Sequence, residues 1–287
     1  MPTLLPRYTV IEKAIGETPL QALEGYRSRA GISTKVPLAY AGRLDPLASG
    51  KLLVLIGDEC KRQTEYHTLD KRYQIEVVFG IGSDTGDVMG LLQHPDPPPT
   101  KTLDSTDLRT TLKSLRDTIE LPYPIFSAKT VHGKPLHTWA MEDRLHEITI
   151  PTKRSTIYSI QLNHLTNIPA KTLYDRALDN INSIPPVTES RKALGNDFRR
   201  SDIRTCWQTW LKKNHDNSFQ IANITCIVSS GTYMRTLAGI IAQKHSTCGL
   251  ALSIHRTHIG RYQPLIKNLG VWKTKMNYPD ASMRGKD

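Results

Sequence analysis

Tyr40-Ala41-Gly42-Arg43-Leu44-Asp45-Pro46-Leu47-Ala48-Ser49-Gly50 places a carboxylate between a glycine and a proline, then small residues, a second glycine and an apolar run from Leu52 to Ile56. This is the composition of a held loop leading into a strand. Pro46 lacks an N–H and restricts Asp45 toward extended geometry, while Gly42 and Gly50 permit positive φ or close backbone approach. Asp45 is therefore expected in one fixed pose. Arg43 lies two residues earlier, so on an extended segment both side chains point to one side and the cation favours an ionised carboxylate. Such a group can act as nucleophile or base. A lone Asp-Pro is more often a turn carboxylate accepting loop N–H groups, with the arginine in solvent.

Toward the N-terminus, Thr18-Pro19 followed by Leu20, Leu23 and Tyr26 predicts a capped helix with proline in its first turn, ending near Gly31. Toward the C-terminus, Tyr73, Ile75, Val77 and Phe79 share one face of a strand. The turn-rich segment Gly80 to Gly90 carries Asp84 and Asp87, but it lacks the ligand series and distal glutamate of a calcium loop. Asp96 to Thr100, with three consecutive prolines, reads as a stiff linker. Leu108, Leu112, Leu115 and Ile119 predict an amphipathic helix over Asp107 to Glu120. Tyr158, Ile160 and Leu162 alternate as a strand, as do Ile224, Cys226 and Val228 before a strand-to-helix turn at Gly231-Thr232. A helix start of that kind attracts anions, with Arg235 in its first turn.

The 287 residues allow one large domain or two modest ones, and 38% hydrophobic residues can supply a core. Lys and Arg number 38 against 27 acidic residues, a net charge of +11 that favours a polyanionic partner, nucleic acid first. Four cysteines without C-x-x-C spacing indicate neither a zinc ribbon nor a redox pair, and ten histidines show no ligand spacing. No metal is expected. The first residues do not form a signal peptide and no apolar run nears the roughly 20 residues of a membrane span, which together with the cysteines points to the cytoplasm.

The Asp45 segment resembles the signature around the catalytic aspartate of pseudouridine synthases, and is most similar to the TruB family, which isomerises uridine in the T loop of tRNA. Further segments follow in family order. Lys71-x-Tyr73 and Ser83-Asp84-Thr85-Gly86-Asp87-Val88-Met89-Gly90 match the family's next motif, with Ser83 replacing a threonine. Pro124 to Lys129 and Gly133 to Ala140 resemble the segment that reaches over the RNA there, a basic and aromatic mixture suited to phosphate and base. Ser229-Ser230-Gly231-Thr232-Tyr233-Met234-Arg235-Thr236-Leu237-Ala238 matches almost letter for letter, and Leu252 to Tyr262 resembles the closing motif, with Ile254 and His255 for Leu and Arg. Lys13 to Pro19 matches in part.

Periodicity alone gives an α/β mixture. The resemblance implies an α+β pseudouridine synthase fold, a central mostly antiparallel sheet flanked by helices. One catalytic domain is expected over 1–265. A basic, Trp-containing stretch at about 167–217, with Arg191, Lys192, Arg199, Arg200 and Arg204, reads as an insertion, either an RNA arm or a variable appendage. Residues 266–287 read as a short tail, too short for a C-terminal RNA-binding domain.

The resemblance assigns catalysis to Asp45, with attack on the sugar and removal of the 2′ proton both open as its role. It implies no cofactor, because the reaction has no redox change. Arg235 is the cation that keeps a buried Asp45 charged, and Tyr73 packs on the everted base. Tyr233 and Ile254 line the same pocket, with core packing the competing reading. Tyr40 stands where the family usually has histidine and Arg43 where it has Thr or Ala; both are assigned to substrate contact. The expected partner is the tRNA T-arm, with no membrane and no obligate protein partner, the chain acting as a monomer. The alternatives are a synthase for another RNA and a non-catalytic RNA-binding or tRNA-folding protein.

Overall fold

The computed structural model describes residues 5–93, 102–186, 197–266 and 269–277. The proline run at 97–99, Arg191, Lys192 and residues 278–287 fall outside the described residues. In chain order the elements are β1 (Tyr8–Lys13), α1 (Pro19–Arg29), β2 (Leu38–Ala41), β3 (Ser49–Ile56), α2 (Gln63–His67) and β4 (Asp70–Phe79). Next come β5 (Gly82–Ser83), β6 (Leu92–Gln93), α3 (Ser105–Ser114), β7 (Asp117–Pro122), β8 (Thr130–Val131), β9 (Lys134–Pro135) and α4 (Leu136–Met141). The last are β10 (Thr152–Pro169), α5 (Ala170–Ser183), α6 (Arg200–Asn214), β11 (Ser218–Val228), α7 (Met234–Gln243), β12 (Gly249–Ile266) and β13 (Leu269–Lys275).

Nine strands make one sheet in the order β1-β3-β12-β4-β11-β10-β7, with β2 added on β3 and β13 on β12. Its pairings are antiparallel except for β3 with β12, which meet in parallel over two residues. The expected α+β architecture is the one found. Alternation along β4 divides the core: Tyr73, Ile75, Val77 and Phe79 pack with α3 and α7, whereas Val78 faces the cluster built by α5 and α6. The α1 start is the one expected, Thr18 and Gln21 bonding reciprocally as a capping box with Pro19 in the first turn.

Three expectations are corrected. The helix placed at 107–120 runs instead over Ser105–Ser114, capped by Asp104, because the chain turns at Asp117 (φ +77°) and continues as β7. Ile119 shares the helical spacing by coincidence and sits on a strand opposite Ser155. The described residues of 167–217 pack on the sheet and do not stand apart from it: Leu173, Ala177, Ile181, Ile203, Trp207 and Trp210 are buried, and the Trp207 indole donates to the Val88 carbonyl at 3.2 Å. Nor is the chain after 265 a simple tail, since β13 returns along β12 and Trp272 stacks on His258.

Candidate active site

Asp45 lies in the connection between β2 and β3. Gly42 turns the chain at φ +78°, and a tight turn from Asp45 to Ala48, closed by Ala48 N donating to the Asp45 carbonyl at 3.0 Å, holds Pro46 in its second position. Leu44 and Ala48 enter the cluster on one side of the sheet and Leu47 the cluster on the other. The Pro46 carbonyl accepts from Gly16 N at 3.0 Å and from the buried Lys13 ammonium at 3.2 Å. Backbone and apolar side chains are thus pinned, and the carboxylate projects from a rigid base.

Arg235, in the first turn of α7, meets it. Its Nε donates to Asp45 Oδ2 at 2.7 Å, Nη1 to the Thr85 carbonyl at 2.9 Å and Nη2 to the Phe126 carbonyl at 3.3 Å. Asp87 Oδ2 lies 3.7 Å from the same Nε, and its other oxygen accepts from the Thr85 hydroxyl and Met89 N. One guanidinium, 5% exposed, therefore serves two carboxylates, a buried Asp87 and an Asp45 that remains 40% exposed. The expectation of a buried Asp45 is corrected: the cation is buried and the carboxylate is open. Burial raises the Asp87 carboxyl above its ordinary value although Arg235 opposes this; burial likewise disfavours the Arg235 charge, yet Asp45 and Asp87 hold it above its ordinary value.

Tyr73, 8% exposed on β4, shares an apolar cluster with Leu44, Ala48 and Ile254. Burial raises its hydroxyl while the Arg256 guanidinium pulls the other way. Ile254 is core-packed in that cluster, beside the proposed base pocket. Tyr233, immediately before α7, is half-buried and edge-on to Tyr123 at 5.6 Å; burial and the Asp45 charge push its hydroxyl up. Arg43 does not join Asp45. Arg43 is exposed with no ion pair among the described residues. Tyr40 packs with Ile11, Leu23 and Val54 beneath α1, apart from the others.

The segment before α6 reaches this site. Arg199 pairs with Asp84 at 2.7 Å and lies 4.5 Å over the Phe126 ring, while Phe198 meets that ring edge-on at 5.7 Å. It thereby steadies the loop whose carbonyl binds Arg235. Asp87, Lys13 and Arg256 were not among the expected site residues. Asp87 and Arg256 lie inside matched motifs, the only signal available, and Lys13 inside a partial match.

Lys71, buried at the start of β4, donates to Ser230 Oγ at 3.3 Å and to the Leu69 carbonyl. Burial, with Arg256 adding to it, lowers its pKa to about 7. Free lysine sits near 10.4, so between about 7 and 10 the unfolded chain binds more protons and stability rises with pH. Thermal unfolding from pH 7 to 9 should show that rise in the wild type, and Lys71→Met should flatten it; an unchanged slope would remove Lys71 as its source.

The fold is shared with a solved structure: a chain in the crystal structure of a Cbf5-Nop10-Gar1 complex aligns with a TM-score of 0.51 at 12% identity, covering 88% of this chain and 48% of that one. A profile of the TruB family pseudouridylate synthases, N-terminal domain, matches residues 31–174. The chain belongs to the TruB family. Among curated relatives, a tRNA pseudouridine synthase B of Caldicellulosiruptor saccharolyticus is 35% identical over 153 residues, 53% of this chain and 50% of the relative. The tRNA pseudouridine synthase 4 of Saccharomyces cerevisiae is 33% identical over 130 residues, 45% of this chain and 32% of the relative. The chain spans about half the length or less of these two relatives. No helix among the described residues is long and apolar enough to cross a membrane.

Proposed function

We propose that the protein isomerises uridine to pseudouridine in the T loop of tRNA, without a cofactor. The observation that carries this reading is the Asp45 carboxylate, rigidly based, 2.7 Å from a buried arginine and open on its other side. Isomerisation breaks the bond from C1′ to N1, joins C1′ to C5, moves the C5 proton off carbon and returns a proton to N1. Asp45 serves the sugar, by attack at C1′ or removal of the 2′ proton, and Arg235 orients it through the bond from Nε at 2.7 Å. Tyr73, kept protonated by burial, relays the C5 proton, its oxygen accepting from C5 as its own hydroxyl proton passes to N1. The uridine must leave its stack, at a cost of a few kcal/mol, and the Tyr233 and Tyr73 rings replace the lost contacts. The names of the relatives support tRNA as substrate, the net charge of +11 fits a polyanion, and we take the protein to act as a cytoplasmic monomer.

Incubation with unmodified tRNA transcript and mapping of the product tests this directly. Pseudouridine in the T loop is the expected result. Product only in another RNA would favour the second reading, to which the exposed Arg43 beside the Asp45 loop lends weight. Binding without product would leave a tRNA-folding protein. Tyr73→Phe should bind RNA normally and turn over about 100-fold more slowly, the range for loss of one proton-transfer group; an unchanged rate would remove the hydroxyl from the chemistry.

A further inference from the structure

Arg256, on β12, is fully buried, with 0% exposure, and makes no ion pair among the described residues. Its donors go to backbone carbonyls at both ends of the Asp45 loop. Nη2 donates to Gly42 at 3.0 Å and Nη1 to Arg43 at 3.3 Å on the entry side, and Nε to Lys51 at 2.7 Å on the exit side. Its backbone grips the same loop. Arg256 pairs with Gly50 in the short parallel register, and a side chain at Gly50 would lie 2.3 Å from the Arg256 carbonyl. Gly42 is needed for its φ of +78°, a Cβ there making only ordinary contact with Nη1 at 3.6 Å. On its other edge β12 pairs with β4, and the residue opposite Arg256 is Tyr73.

Burying a guanidinium against neutral carbonyls is costly, and packing alone would be met by methionine or leucine. A planar fork of five donors, however, can bridge two chain segments in a fixed relation, which an ammonium on a flexible stem cannot. We propose that Arg256 is a positioning residue that ties the two ends of the Asp45 loop together beneath Tyr73, holding the carboxylate and the phenol in a fixed relation for catalysis. This rests on the isomerase reading for its kinetic consequence and on the contacts alone for its structural one.

Arg256→Lys keeps a buried cation but loses the fork, and Arg256→Gln keeps part of the fork but loses the charge. In both, amides from Gly42 to Gly50 should exchange hydrogen about tenfold faster, as local opening of the loop becomes easier. Single-turnover conversion of tRNA should fall about 100-fold, the scale of a displacement near 1 Å, with RNA affinity nearly unchanged. A folded variant with wild-type rate, or one whose whole loss lies in affinity, overturns the proposal. Should neither variant fold, the unaltered protein decides: its loop amides should exchange as slowly as those of β3, and fast exchange overturns it. Should the unaltered protein make no pseudouridine from any RNA, the isomerase reading falls, and hydrogen exchange alone decides for or against Arg256.

Discussion

Asp45→Asn should bind tRNA within a few-fold of wild type and form pseudouridine slower by on the order of 10⁴-fold, as when a single essential catalytic group is removed. The amide has the shape of the carboxylate, and its oxygen can still accept from Arg235 Nε, now 2.7 Å from Asp45 Oδ2. The loop does not depend on the side-chain charge, because Leu44, Leu47 and Ala48 are buried and the Pro46 carbonyl is held by Gly16 and Lys13. The variant should therefore unfold within about 1 kcal/mol of wild type, as expected at a partly exposed ion pair. Only the chemistry is removed. Product at the normal pace from a verified Asn variant would end the mechanism given above.

Arg235→Met should lose both turnover and stability, through two different carboxylates. Turnover should drop by about 10²- to 10³-fold, because Asp45 loses the donor that fixes its pose and the positive charge beside it. Stability should fall by roughly 3 to 5 kcal/mol, because Asp87 is left buried without its cation. The two losses separate with pH. The Asp87 carboxyl already lies above its ordinary value in the folded protein, so its contribution is favourable below the unfolded carboxylate range and is lost as pH rises through its folded value. Without Arg235 that value climbs further. The stability deficit should accordingly shrink on acidification, and Arg235→Met with Asp87→Asn should regain stability while remaining slow. A deficit independent of pH, or a fast double variant, would contradict this division.

Much of the site was legible in the chain because local chemistry announces it. Gly42, Pro46 and Gly50 mark a held loop whatever surrounds them, and β4 shows its buried face by alternation. Arg235 followed from a motif match, not from periodicity. What stayed hidden depends on partners distant in sequence. Arg256 is buried among carbonyls that sequence spacing does not identify, and its Nη2 bond to Gly42 spans 214 residues. Asp87 stood in a segment rich in turn residues, where a buried acid and a capping acid look alike. Charge also misled: Arg200 is buried through its bonds to Asp197 and the Ile184 and Pro185 carbonyls, so a stretch that reads as a solvated arm covers Trp207 and Trp210 against the sheet. Ile119 illustrates the opposite error, a spacing that continued past the point where the backbone turned.

The parallel meeting of β3 with β12 also bears on when the protein can become active. The Asp45 loop is synthesised well before its partners: its side-chain cation arrives 190 residues later and the guanidinium spanning its ends later still. Contacts this remote form after the intervening chain has been made, and such pairings are slow to close. A nascent chain on the ribosome would carry Asp45 long before the contacts that fix its geometry had been made.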